Sequence, residues 1–317
     1  MYYYFIYIVC VYFLRNTALG NSDATATWKN EENCGTTMYD NDSVEIGKGE
    51  KYTDKPGLAP WLARLGVVNI DTQEPFFHCE GSLISRQIVI SSAHCGTANQ
   101  VARLGENNID ENVDCKVSVC PPPPQDIKIR TQVLGNNHCN KTNRYDILVI
   151  GLETPVEYND FVRPICVSGA ALPMKGRMII SGFSVSHMET RDDKKNVFES
   201  EKKLTYAEAR ILEKQKCDAV YAQELDEGQL CVGYSKGVKE PCAGSPGGAL
   251  IVYQKEKGVK RAYLMGVAYY DLETCESGGI RPVSYSILGV LGGIAIIVTI
   301  VAGTLVIING IKKLFSG

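Results

Sequence analysis

Three short blocks of this 317-residue chain hold residue types that can move protons and stabilise charge. Ser92-Ala93-His94-Cys95 follows an apolar run, Gln87 to Ser91. Asp146 stands in Tyr145-Asp146-Ile147-Leu148-Val149-Ile150-Gly151-Leu152. Cys242-Ala243-Gly244-Ser245-Pro246-Gly247-Gly248 places Pro246 100 residues after Asp146. An imidazole exchanges protons near neutral pH. A carboxylate can orient it, and backbone N–H groups of a glycine-rich turn can face a developing oxyanion. Such groups suit attack on a carbonyl. Twelve cysteines are present. No C-x-x-C pair or histidine-rich cluster accompanies them, so zinc is not indicated.

Short strands must position these blocks. Between Asn21 and Tyr285, apolar runs alternate with polar residues and glycine: Trp61 to Ile70, Leu83 to Ile90, Ile147 to Leu152, Met178 to Ile180 and Leu264 to Tyr270. That spacing predicts an all-β barrel or sandwich. Ile211 to Ala222 reads as a short helix. Pro121 to Pro124 must be an extended polyproline piece at the surface. Arg191 to Lys203 is highly charged and reads as an exposed loop. Asn41-Asp42-Ser43 and Asn140-Lys141-Thr142 are glycosylation sequons, at Asn41 and Asn140.

The charge balance, 33 basic against 36 acidic residues, gives no reason to expect a nucleic-acid partner. With 44% hydrophobic residues the chain is no disordered segment. Cysteine richness points to an oxidising compartment. Met1 to Leu14 is apolar, with Ala18 and Gly20 behind it, and residues 1–20 read as a secretory signal. No Lys or Arg precedes that run, so an uncleaved anchor is the alternative. Ile287 to Ile308 is a run of 22 uncharged residues. As a helix it would measure about 33 Å, against roughly 30 Å of hydrocarbon. Lys312 and Lys313 then mark residues 309–317 as a cytoplasmic tail. The expectation is a single-pass cell-surface protein with its N-terminus outside. A glycolipid anchor at Ser284 or Ser286 is the alternative. Gly289 and Gly293, continued by Ala295, Thr299 and Gly303, form a small-residue stripe. It suits a homodimer through the membrane helix, or is ordinary membrane-helix composition.

The blocks, in the order His, Asp, glycine-rich turn, resemble the trypsin-like serine protease family. Pro60-Trp61, Arg163-Pro164-Ile165-Cys166, Gln229-Leu230-Cys231 and Gly266-Val267-Ala268 extend the resemblance over roughly Ile46 to Tyr285. Asp114-Cys115, with Cys120 to Ile127, is similar to the extra disulfide loop of the arthropod clip-domain branch. Only Asn21 to Glu45, with one cysteine, precedes the barrel, so a clip domain is not expected. The resemblance implies two six-stranded antiparallel β-barrels in residues 46–285, behind a short segment, 21–45. It implies the bridges Cys34–Cys166, Cys79–Cys95, Cys115–Cys120, Cys217–Cys231 and Cys242–Cys275. Cys139 is left over: free, paired across a dimer, or a substitute partner in the Cys115 loop. Glu106, Asn107, Asp110 and Glu111 lie in a loop that binds calcium in some relatives. The other reading is a plain solvated loop, and no cofactor is expected.

The family's activity is serine endopeptidase. By resemblance His94 is the base and Asp146 its orienting acid. The nucleophile position falls on Pro246, and Gly244 is the remaining oxyanion donor. Ser245 replaces the acid that receives the new N-terminus on activation. Glu45, not a basic residue, precedes Ile46-Gly47-Lys48-Gly49. Glu240 falls at the base of the primary specificity pocket, as a site for a basic group or as a loop acid beside Pro241. Tyr269, Tyr270 and Asp271 replace the segment that pairs with substrate. These departures imply a homologue without peptidase activity, its His94–Asp146 pair kept as a buried polar contact. Its expected partner is a protease, zymogen, inhibitor or surface ligand. The alternatives are a divergent peptidase with another nucleophile and a structural adhesion glycoprotein. Gly279 to Tyr285 looks like a worn last strand.

Overall fold

The computed structural model describes residues 30–39, 55–109, 120–134, 146–168, 172, 178–183, 185–190, 196–200, 204–221, 225, 228–234, 246–269, 283–287, 294–301 and 304–311. Six strands close the first barrel: β1 (Leu62–Val68), β2 (Pro75–Ser85), β3 (Ile88–Ser91), β4 (Val101–Leu104), β5 (Gln125–Leu134) and β6 (Leu148–Leu152). Their order is β1-β2-β3-β6-β5-β4. After β7 (Met178–Gly182) comes a separate two-stranded sheet, β8 (Val185–Thr190) with β9 (Asn196–Ser200). The second barrel joins β7 to β10 (Thr205–Ile211), β11 (Gln229–Tyr234), β12 (Ala249–Glu256), β13 (Val259–Tyr269) and β14 (Val283–Ile287). Its order is β10-β11-β14-β13-β12-β7. The all-β, two-barrel expectation describes this architecture.

Burial explains which runs become strands. Every residue of β3, β6 and β7 is buried. Ile-Val-Ile and Leu-Val-Ile sequences pack on both faces, where β-branched side chains fit a pleated surface. β2 changes character midway. Pro75 to His78 alternate between half-buried and exposed, whereas Cys79 to Ile84 are all buried. The buried half lies where the barrels meet. Leu83, Ile90 and Ile150 of the first barrel share one cluster with Ile179, Ile251 and Leu264 of the second. Each such side chain contributes about 1.5–3 kcal/mol on burial.

A strap crosses this core. Cys34 is bonded to Cys166. Asn30 Nδ2 donates to the Val167 carbonyl (2.8 Å) and Asn30 Oδ1 accepts from Val167 N–H (2.9 Å). Glu31 accepts from the Arg86 backbone N–H (3.2 Å), and Arg261 donates to the Cys34 carbonyl (2.7 Å). Burial first, and the neighbouring Glu31 carboxylate second, push the Tyr158 phenol above its usual range.

Several expectations need correcting. Residues 287–308 do not form one helix. Ile287 ends β14, which pairs with both β11 and β13 and so closes the barrel whose last strand looked worn. Beyond it, β15 (Ile294–Val301) and β16 (Thr304–Ile311) pair antiparallel, and Asn309 to Ile311 of the expected tail belong to β16. Seven of eight residues in β15 and five of eight in β16 are Ile, Val or Thr. Length and hydropathy suggest a membrane helix, but stiff β-branched side chains favour a strand. Among the described residues no helix is long and apolar enough to cross a membrane. The helical stripe therefore falls away, with Ala295 and Thr299 in β15 and Gly289, Gly293 and Gly303 outside the described residues.

The charged loop at 191–203 contains a strand, β9, where Val197 and Phe198 interrupt the charges. Leu83 to Ile90 is two strands turning at Arg86-Gln87. The helix narrows to α1 (Lys214–Tyr221). Pro121 is buried and Pro124 half-buried, while Pro122 and Pro123 are exposed, so the proline run lies only partly at the surface.

Candidate functional site

β3 delivers its chain to a single 3-10 turn, Ala93–Cys95. Ser92 caps that turn, its hydroxyl oxygen accepting the His94 backbone N–H (3.1 Å). Asp146, buried just before β6, accepts the same N–H through Oδ1 (2.8 Å). The Ser92 hydroxyl donates to Asp146 Oδ2. The carboxylate thus bonds the main chain of the turn and its cap. The His94 side chain is exposed, not part of a buried pair as expected. Its ring rests edge-on against buried Tyr269, the last residue of β13, with centroids 5.3 Å apart and planes at 78°.

The glycine-rich block reaches the same place from the second barrel. Pro246 is buried, and its carbonyl accepts the Glu80 backbone N–H (2.8 Å). The Ser91 hydroxyl donates to the Glu80 carbonyl (2.5 Å). Gly247 N–H donates to Ala268 (3.1 Å), and Ala268 N–H to the Gly248 carbonyl (2.9 Å). Gly247 has φ +85°, and a Cβ there would sit 1.9 Å from the Glu80 carbonyl oxygen. Cys79–Cys95 ties β2 to the His94 turn. The fold therefore gathers His94, Asp146, Pro246 and Tyr269 at one end of the seam.

A charged cluster beside it has no counterpart in the sequence reading. Glu80 is 2% exposed in the middle of β2. It accepts the Phe183 backbone N–H, and a Cβ on Gly182 would lie 2.2 Å from its Oε2. Arg64, 8% exposed, lies between the rings of Phe77 (4.6 Å) and Phe183 (5.1 Å). Burial holds its guanidinium below the usual range, opposed first by Glu80 and then by Glu106. Arg103 covers the Phe77 ring at 4.8 Å and grips Asp126 with two bonds of 2.7 and 2.8 Å. The bond to Asp126 raises its pKa. The available signal was Glu80 itself, a charge inside the otherwise buried run Cys79 to Ile84.

Glu106 faces inward, 3.6 Å from Arg103, and Asn107 accepts from Gly57 N–H (3.2 Å). Asp110 and Glu111 lie outside the described residues. Among the described residues no group of His, Cys, Asp and Glu could hold a metal ion. Cys217 is bonded to Cys231, tying α1 to β11. Cys120 is in a disulfide whose partner is not among the described residues. Cys115, Cys139, Cys242, Cys275, Asn41, Asn140, Glu240, Gly244, Ser245, Tyr270 and Asp271 also lie outside them.

A family model described as Trypsin matches residues 48–287. Phenoloxidase-activating factor 3 of Holotrichia diomphalia is 30% identical over 264 residues, 75% of this chain and 71% of that protein. The CLIP domain-containing serine protease HP8 of Bombyx mori is 28% identical over 276 residues, 82% of this chain and 70% of that protein. The solved structure of the drosophila Grass clip serine protease of the Toll pathway superposes with a TM-score of 0.64. It is 23% identical, covers 82% of this chain and 73% of its own, and shares the fold.

Proposed function

This chain belongs to the trypsin family of serine proteases, and from that premise we propose that it has lost peptidase activity and acts by binding. Pro246 carries the reading. The family reaction needs a hydroxyl that attacks the carbonyl, a histidine that takes its proton, an orienting carboxylate and two backbone N–H donors for the oxyanion. Proline has no hydroxyl, so no acyl-enzyme can form at that position. It has no backbone N–H either, which leaves Gly244 as the single donor. Losing one such donor alone costs about 2.7–4 kcal/mol of transition-state stabilisation. Glu45 and Ser245 remove both halves of the activation switch by the same register. Tyr269 fills the space beside the base. Glu240, Tyr270 and Asp271 complete an altered pocket and pairing edge, so an extended peptide is not expected to bind as a substrate does.

The rival reading is a divergent trypsin-like endopeptidase. The exposed imidazole of His94 and the retained Asp146 favour it. It needs a nucleophile other than residue 246. A serine-reactive fluorophosphonate probe on the full chain separates the two, with trypsin as positive control. No labelling is expected; saturable covalent labelling overturns the proposal.

The partner we infer is a protease, zymogen or inhibitor of a proteolytic cascade. Its support is a retained family frame and relatives whose names include a phenoloxidase-activating factor and a Spaetzle-processing enzyme. A purely structural surface glycoprotein is the remaining alternative. Secretion and the pairing of the remaining cysteines are part of this reading. So is attachment to a membrane, which rests on the uncharged sequence of 287–308 and not on the fold. Retention of the expressed chain in the membrane pellet after alkaline carbonate supports attachment, and release into the supernatant removes it.

A further inference from the structure

Three of the four exposed large apolar side chains among the described residues sit on two hairpins of opposite charge. The first is the β1–β2 hairpin. Ile70 is 87% exposed at its tip and Phe76 66% exposed on its edge. Phe76 stacks on the exposed His78 ring at 6.3 Å, with planes at 12°. The tip is fixed by its own bonds. Asn69 Oδ1 accepts from the N–H groups of Asp71 (2.8 Å) and Thr72 (3.2 Å), and Gln73 N–H donates to the Asn69 carbonyl (2.9 Å). Asp71 and Glu74 are exposed there, and neither forms an ion pair among the described residues.

The second is the β12–β13 hairpin, on the other barrel. Lys257 (φ +47°) and Gly258 (φ +87°) make its turn. Val259 is 46% exposed, with exposed Lys255 and Lys257 beside it. Lys260 lies 5.2 Å from the Tyr253 ring centroid. The one acid of this hairpin, Glu256, is exposed between Lys255 and Lys257, which leaves the tip with net positive charge.

We propose that these ends bind each other between molecules, the β1–β2 hairpin of one copy seating on the β12–β13 hairpin of a second. Ile70 and Phe76 meet Val259, while Asp71 and Glu74 meet Lys255 and Lys257. Both turns are already set, so little ordering entropy is lost. The contact is heterologous. The pair keeps one free hairpin of each kind, one on each copy, and association continues into a ring or an open chain. Two hairpin tips cover far less than the about 1,600 Å² of a standard interface, so the contact is weak in dilute solution. It is also salt-sensitive. The proposal does not depend on the state of the catalytic site.

Sedimentation velocity of the full chain in non-ionic detergent, from micromolar to submillimolar protein, tests it. The mean mass should rise with concentration and fall back in about 0.5 M salt, where screening reaches within a few ångströms. Asp71→Lys with Glu74→Lys, and separately Lys255→Glu with Lys257→Glu, should each weaken association by at least about tenfold. An equal mixture of the two variants should associate again, since it restores opposite charges. These substitutions are on exposed turns, and circular dichroism confirms that the variants fold. A single unassociated species at all concentrations overturns the proposal. So does association that neither variant alters. A chain that stays single yet binds a peptide copied from Lys255–Arg261 overturns self-association in favour of another basic partner.

Discussion

Gly247→Ala should lower the thermal midpoint of the domain by about 4–20 °C, the largest change expected from a methyl group added at any glycine of the described structure. Two costs combine. A non-glycine residue at φ +85° is strained by about 1–2 kcal/mol. The added Cβ would also lie 1.9 Å from the Glu80 carbonyl oxygen and 2.5 Å from Ser91 Oγ. That carbonyl is held on a buried strand and already accepts the Ser91 hydroxyl, so it cannot retreat. Overpacking of this kind costs about 1–3 kcal/mol, and more where backbone meets backbone. Gly258 is the control. It has φ +87° with nothing within 4 Å of its Cβ, so Gly258→Ala carries the backbone cost alone. Scanning calorimetry of both variants decides the matter. Equal shifts would mean that the loop at residue 247 does not press on β2.

Glu80→Ala should cost about 3–5 kcal/mol in urea unfolding, because it leaves the Arg64 charge buried without its foremost counter-charge. It also strips the acceptor from the Phe183 N–H at the seam. Glu80→Gln keeps an acceptor of the same shape, so the gap between the two variants isolates the loss of shape and hydrogen bonding from the loss of charge. Replacing both charges, Arg64→Met with Glu80→Leu, should recover most of the stability, since a well-packed apolar pair can match a buried ionic one. A loss below 1 kcal/mol for Glu80→Ala would show that the two groups are not energetically coupled.

The barrels were legible because their strands are local. Trp61 to Ile70 and Met178 to Ile180 announce themselves by continuous apolar character, and each became a strand with shifted ends. The blocks around His94, Asp146 and Pro246 were legible as motifs, and the fold brings them together. What stayed hidden depends on distant partners. Nothing near His94 says that the cap at Ser92 takes one oxygen of Asp146, or that Tyr269 meets the imidazole from 175 positions away. Arg64 reads as a surface cation until Phe77 and Phe183 close on it. At 287–308 the sequence carried two conflicting signals, apolar length against β-branched content, and the second prevailed.

The bond between Cys34 and Cys166 spans 132 positions and encloses every strand of the first barrel. In the chain-entropy picture, closing so long a loop contributes on the order of 4–5 kcal/mol. None of that contribution passes through residue 246, and neither do the Asn30, Glu31 and Arg261 contacts of the strap. This strap therefore holds the frame independently of residue 246, while the 246–248 loop adds its own bonds to β2 and β13. A change confined to the side chain of residue 246 would leave this strap, and the folded surface it holds, in place.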